Sequence, residues 1–314
     1  MCKYRSRLPQ LSGELFLTDG GIETSLIFHD GLDLPHFAAF HVLRDAAGRA
    51  ALRRYYTRYA EIARAAGVGF VLESPTWRAS ADWGEKLGYS AEALAQANRD
   101  SIALMREFRA EFETARTPMV VSGCVGPRGD GYDPGQVMSP AQAEAYHAQQ
   151  IGALAEAGAD MVTAITMTNA AEATGVARAA QGVGLPVVIS FTLETDGRLP
   201  TGQRLQDAIE EVDAATDDGP AYYMINCAHP SHFEDVLFGG SWLQRLRGLR
   251  ANASRRSHAE LDAAPDLDAG DPVELGGQYG ALRRRHPQIN VVGGCCGTDH
   301  RHVAQISQAC QAAA

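Results

Sequence analysis

Short apolar runs closed by Gly, Pro or Asp recur along the chain, and most stretches between them place apolar residues at helical spacing. Strands are predicted at 15–18, 70–72, 119–122, 161–165, 187–191, 221–225, 246–251 and 289–292. The seventh is the weakest, because Arg247 and Arg250 interrupt its apolar run, and it is kept because the spacing requires a strand there. Helices are predicted at 49–66, 90–116, 140–157, 170–181, 205–215 and 230–238. Ser90 stands where an N-cap is expected, Ser139-Pro140 reads as N-cap and first-turn proline, and Gly158 closes that helix.

Eight βα units predict an α/β protein of one domain over 1–314, a (β/α)8 TIM barrel with its function in the loops that follow the strands. A doubly wound open sheet is the structural alternative. No GxGxxG or GxxxxGK[ST] follows any predicted strand, so a nucleotide site has no support. The segment 252–287 is polar and rich in Asp and Gly, and reads as a long surface excursion of one barrel loop.

The 314 residues carry 28 Lys plus Arg against 38 Asp plus Glu, a net charge of −10. That balance argues against nucleic acid and anionic membranes as partners. No apolar run is long enough to span a bilayer, and the start lacks the apolar core of a secretory signal, so a cytoplasmic protein is expected.

Six cysteines are too few for a disulfide scaffold, and a reducing compartment disfavours disulfides, which leaves metal binding or catalysis. Cys227 falls at the end of the sixth predicted strand, and Cys295-Cys296 at the end of the eighth. A barrel puts those ends on one face. Gly293, Gly294 and Gly297 flank the pair and free its backbone to aim both thiols at one point. Cys227, Cys295 and Cys296 are therefore the candidate ligands of Zn2+, with a fourth position open. Cys2, Cys124 and Cys310 read as bystanders, and His229, His232, His300 and His302 as structural residues, with Thr298 or Asp299 capping the last helix. Three thiolates make zinc a poor activator of water, which disfavours a hydrolase, but a thiol entering the site would lose its proton to the metal field. The chemistry implied is transfer of an alkyl group from a sulfonium or ammonium donor to a thiol.

The strings DGGIET, NCAHP and GGCCGT together resemble the zinc-dependent homocysteine S-methyltransferase family, whose members use S-methylmethionine, betaine or a folate as donor. The resemblance covers essentially the whole chain. It implies a homocysteine-binding barrel, zinc on Cys227, Cys295 and Cys296, and a role in methionine biosynthesis. It places Asp19, with Gly20 beside it, where the family holds the amino-acid end of homocysteine, and it sets Asn226 beside the metal. Two departures stand out. The fourth strand ends in Ile165-Thr166 where the family usually has Glu-Thr, and the second is followed by Glu73-Ser74-Pro75-Thr76-Trp77 in place of Glu-Thr-Asn-Thr-Phe. Glu73 is positioned to replace the missing carboxylate, and Thr166 lines the same pocket. Trp77 and Tyr132, with Trp83 nearby, lie in loops of the same face and are candidates for the donor pocket. The alternatives are another thiol acceptor or a non-catalytic zinc- or thiol-binding protein.

Overall fold

A computed structural model describes residues 2–264 and 266–313. Its strands are β1 (Phe16–Leu17), β2 (Gly69–Glu73), β3 (Met119–Val125), β4 (Met161–Met167), β5 (Val187–Thr192), β6 (Tyr222–Asn226), β7 (Leu246–Ala251) and β8 (Val291–Gly294). They pair in parallel and in chain order, and β1 closes against β8, which makes the expected eight-stranded barrel.

Alternation along the strands sorts the barrel interior into two levels, because residues two apart share a face. Phe16, Val71, Val120, Met161, Val188, Tyr222, Met224 and Val291 form one apolar cluster, joined by Leu8 and Tyr4 of the N-terminal segment. Two residues further on, the same inward positions become polar. Val71 is succeeded by Glu73, Val120 by Ser122, Met161 by Thr163, Val188 by Ser190 and Met224 by Asn226, all buried. Arg250 belongs to this level, on the strand where Gly248 gives its space to Met224. The carboxyl ends of the strands thus open onto a buried polar floor.

Outside the barrel run helices Ala46–Ala66, Ala91–Phe112, Pro140–Glu156, Ala170–Gly182, Leu205–Thr216, Pro272–Arg285 and His300–Gln311. Ser90 and Ser139 cap theirs as expected, Ser139 through a full capping box with Gln142. Two expectations are corrected. The helix predicted at 230–238 ends after one turn, at Pro230–Phe233, where Phe233 leaves helical geometry and buries its ring; a 3₁₀ turn, Glu234–Val236, follows. The segment 252–287 is not all loop. Its second half is the helix Pro272–Arg285, started by Asp271 and Pro272 and buried along Leu275, Tyr279 and Leu282. No helix among the described residues is long and apolar enough to cross a membrane.

Candidate metal centre and substrate pocket

Cys227 directly follows β6, and Cys295-Cys296 directly follows β8. Their three sulfurs lie within 4.8 Å of one another, the one such grouping of potential ligands among the described residues. Cys227 and Cys296 are 3.7 Å apart. Cys227 and Cys295, with Cα atoms 5.5 Å apart, are joined as a disulfide. That pairing departs from the expectation of free thiols, and its cause is the convergence itself, which brings two sulfurs into bonding reach. Cys2, Cys124 and Cys310 lie outside the cluster. Cys124 is buried inside the barrel, where desolvation pushes its thiol well above the ordinary range.

The glycines around the pair act by space rather than by backbone freedom, except at one position. Only Gly297 of the three has a positive φ, 78°. A Cβ on Gly294 would stand 2.1 Å from Thr298 Oγ1. That hydroxyl donates to the Cys295 carbonyl and accepts from the Gly21 amide, tying the cysteine turn to the loop after β1. Gly294→Ala is therefore expected to destabilise the fold by about 1–3 kcal/mol and to misplace Cys295. Denaturant titration and metal content of the same preparation check both effects.

Asn226 locks the neighbouring strand ends. Its Oδ1 accepts from the Thr166 amide (2.9 Å) and the Ser190 hydroxyl (2.6 Å), and its Nδ2 donates to Thr166 Oγ1 (2.9 Å) and reaches Cys295 Sγ at 3.9 Å. Thr166 (φ 67°) and Cys227 (φ 51°) both occupy the left-handed region, which a β-branched residue seldom enters, and β4 changes register between Ala164 and Met167. Backbone strain is thus held at two positions at the end of the barrel that carries the sulfurs.

Tyr132 stands over the cluster, its hydroxyl 3.3 Å from Cys296 Sγ and 3.6 Å from Cys227 Sγ. Its ring stacks on His258 at 4.0 Å. His258 opens a short helix, His258–Asp262, inside the presumed surface excursion, so that segment contributes to the site. Trp77 donates its indole N–H to the Ile165 carbonyl, and the Arg78 guanidinium lies 3.9 Å from its ring and 3.8 Å from that of Trp83, which also carries Lys86. The cation at the two indoles is thus the protein's own. The four histidines singled out earlier stay outside the metal cluster. His229 caps Pro230–Phe233, His232 bonds the Arg255 carbonyl, His302 completes the Asp299 capping box, and His300 begins the last helix.

Beneath the sulfurs lies a charged group that sequence reading found only in part. Asp19 is buried, its Oδ1 ion-paired to Arg250 Nη2 at 2.6 Å and its Oδ2 accepting from Tyr55 at 2.8 Å. Burial pushes the Asp19 carboxyl up, and Arg250 pulls it back. Gly20 adds its carbonyl to both Tyr55 and Arg250. Desolvation pushes Glu73 up to about 7, opposed by Arg250 and by hydrogen bonds from Ser122 and Thr163. Glu23, on the same loop as Asp19, is also pushed up to about 7 by desolvation. Arg250, Glu23, Arg78 and His258 are the residues missed. Arg250 carried a signal, a charge on the inward face of a strand.

The raised carboxyls have a consequence for stability. Between the ordinary 4.5 and about 7 the folded chain keeps a proton on Glu73 that the unfolded chain releases. Stability from this group is therefore complete below pH 4.5 and is lost as pH rises through 7, by up to about 3 kcal/mol. Urea midpoints measured from pH 5 to 8 should fall, and Glu73→Gln should flatten that slope.

A sequence profile described as homocysteine S-methyltransferase matches residues 16–310. The chain is 25% identical over 323 residues to "Homocysteine S-methyltransferase 4" of Zea mays, covering 95% of this chain and 90% of that protein. Crystal structures of the homocysteine methyltransferase MmuM from Escherichia coli superpose in an oxidized form (TM-score 0.73, 20% identity, 96% and 97% coverage) and a metallated form (0.72, 19%, 96% and 98%). At that identity they show a shared fold.

Proposed function

Because the chain belongs to the homocysteine S-methyltransferase family, we propose that it moves a methyl group from a sulfonium or ammonium donor to the thiol of homocysteine, with Cys227, Cys295 and Cys296 holding zinc. The observation that carries this reading is the convergence of three sulfurs from two strand ends. The residues fit the ion. Sulfurs about 2.3 Å from a tetrahedral zinc stand about 3.8 Å apart, and Cys227 and Cys296 are at 3.7 Å. Reduction of the Cys227–Cys295 pair completes the set.

When bound, zinc supplies the positive field that keeps the acceptor's sulfur a thiolate at neutral pH. The protein's side chains prepare its surroundings. Tyr132 is placed to donate its O–H to the sulfurs of Cys296 and Cys227, withdrawing charge from them. Asn226 fixes the backbone from which the ligands project and offers an N–H toward Cys295. In the transfer, a lone pair of the acceptor sulfur forms the new S–C bond while the donor's C–S⁺ or C–N⁺ bond breaks. The leaving group departs as a neutral thioether or amine, so no general acid is required. Of the two aromatics considered for the donor, Tyr132 stands at the sulfurs and Trp77 is covered by Arg78.

Methyl transfer to homocysteine from S-methylmethionine, betaine and S-adenosylmethionine, assayed side by side on zinc-loaded protein, tests the proposal. Turnover with one donor is expected. Intact zinc without turnover on any donor would replace it with a zinc- or thiol-binding role, a reading favoured by Ile165, which puts an apolar side chain where the family usually has Glu.

A further inference from the structure

Arg250 and Glu73 each leave one buried polar atom unused. Arg250, 6% exposed, gives Nε to the Gly294 carbonyl (3.1 Å) and Nη2 to Asp19 and the Gly20 carbonyl, and its Nη1 has no hydrogen-bond partner among the described residues. Glu73, 4% exposed, lies beside the mutually bonded hydroxyls of Ser122 and Thr163, and its Oε2 has no hydrogen-bond partner among the described residues. The two side chains influence each other's charge, yet no ion pair joins them among the described residues. A positive donor and a carboxylate oxygen, both out of water and both unsatisfied, cost the fold free energy unless something lies between them.

Their place in the barrel says what that something is. Arg250 is on β7, between the strands whose ends carry the cysteines. Its carbonyl accepts from the Cys227 amide, and its side chain bonds Gly294, the neighbour of Cys295. Arg250 therefore sits at the barrel end that carries the sulfurs, with Glu73 close enough for each to act on the other's charge. Asp19 has one oxygen on Arg250 and the other on Tyr55, which leaves it poorly placed to take an ammonium group. Ile165 offers no carboxylate from β4.

We propose that Arg250 Nη1 receives the α-carboxylate and Glu73 Oε2 the α-ammonium of the acceptor, so that this pair selects an α-amino acid bearing a side-chain thiol. The assignment rests on the acceptor reading given above and adds to it the residues that recognise the zwitterion. An anchor of opposite charges at a fixed separation rejects a thiol that lacks either end, because the partner left behind stays buried and unpaired.

The test compares three thiols on the intact zinc-loaded protein, by calorimetric binding and by KM. Homocysteine has both groups, 4-mercaptobutanoate lacks the ammonium, and 3-mercaptopropylamine lacks the carboxylate. Each analogue is expected to bind about 100-fold more weakly than homocysteine, with the penalty in KM. Glu73→Gln should erase most of the discrimination against 4-mercaptobutanoate and leave that against 3-mercaptopropylamine. Equal binding of all three thiols by the unmodified protein overturns the assignment, whether or not the variant folds. Discrimination without methyl transfer from any donor keeps the anchor and overturns the transferase reading. Methyl transfer without discrimination does the reverse.

Discussion

If Cys227, Cys295 and Cys296 hold zinc as proposed, the unmodified protein is expected to carry one zinc ion per chain and Cys295→Ser less than about a tenth of one, with methyl transfer lowered by about 1000-fold or more. A structural set of thiolates binds zinc through three strong metal–sulfur bonds, and a serine hydroxyl at neutral pH replaces none of them. Cys227→Ser and Cys296→Ser should behave alike, since the three sulfurs form one cluster. The contrast that gives the result its meaning is Cys310→Ser. That thiol is buried in the last helix, outside the cluster, so its loss should cost stability and leave the metal in place. Elemental analysis after dialysis under reducing conditions reads all four variants.

Arg250→Met is expected to destabilise the folded protein by about 3–5 kcal/mol, the usual cost of leaving a buried partner uncompensated. Arg250 pairs with Asp19 and pulls down a carboxyl that burial pushes up, and it also bonds Gly20 and Gly294. Two further outcomes separate this cause from simple loss of packing. Adding Asp19→Asn to the variant should recover much of the loss, because the orphaned charge is gone. The deficit of the single variant should also shrink at low pH, where Asp19 takes up a proton. Urea denaturation of the two single variants and the double variant, at pH 5 and pH 8, supplies the cycle.

The barrel was legible because parallel strands buried on both faces are short apolar runs, and these recur between helical stretches. The cysteine cluster was legible because a barrel puts the ends of the sixth and eighth strands, which carry Cys227 and Cys295-Cys296, on one face. Arg250 was visible and misjudged. In LRGLRA it looked like an interruption, yet its position two residues after Gly248 puts it on the inward face beside Glu73 and Asp19. The helix Pro272–Arg285 was hidden by its glycines. At Gly276 a Cβ would stand 2.9 Å from the Gln305 backbone, so the residue that weakens helical propensity is the one that lets the last helix approach. His258 was hidden for another reason. The capping box of Ser257 and Glu260 marks a helix start, but only the folded loop brings that turn against Tyr132. Contacts between loops of distant sequence leave no local periodicity to read.

X-ray absorption at the zinc edge, recorded on the reduced, zinc-loaded protein before and after adding homocysteine, tests the central claim most directly. Three sulfur neighbours and one lighter atom before addition, becoming four sulfurs after it, is the result expected if Cys227, Cys295 and Cys296 hold the metal and the acceptor thiol completes its shell. A shell unchanged by homocysteine, or one rich in nitrogen from the outset, would contradict it.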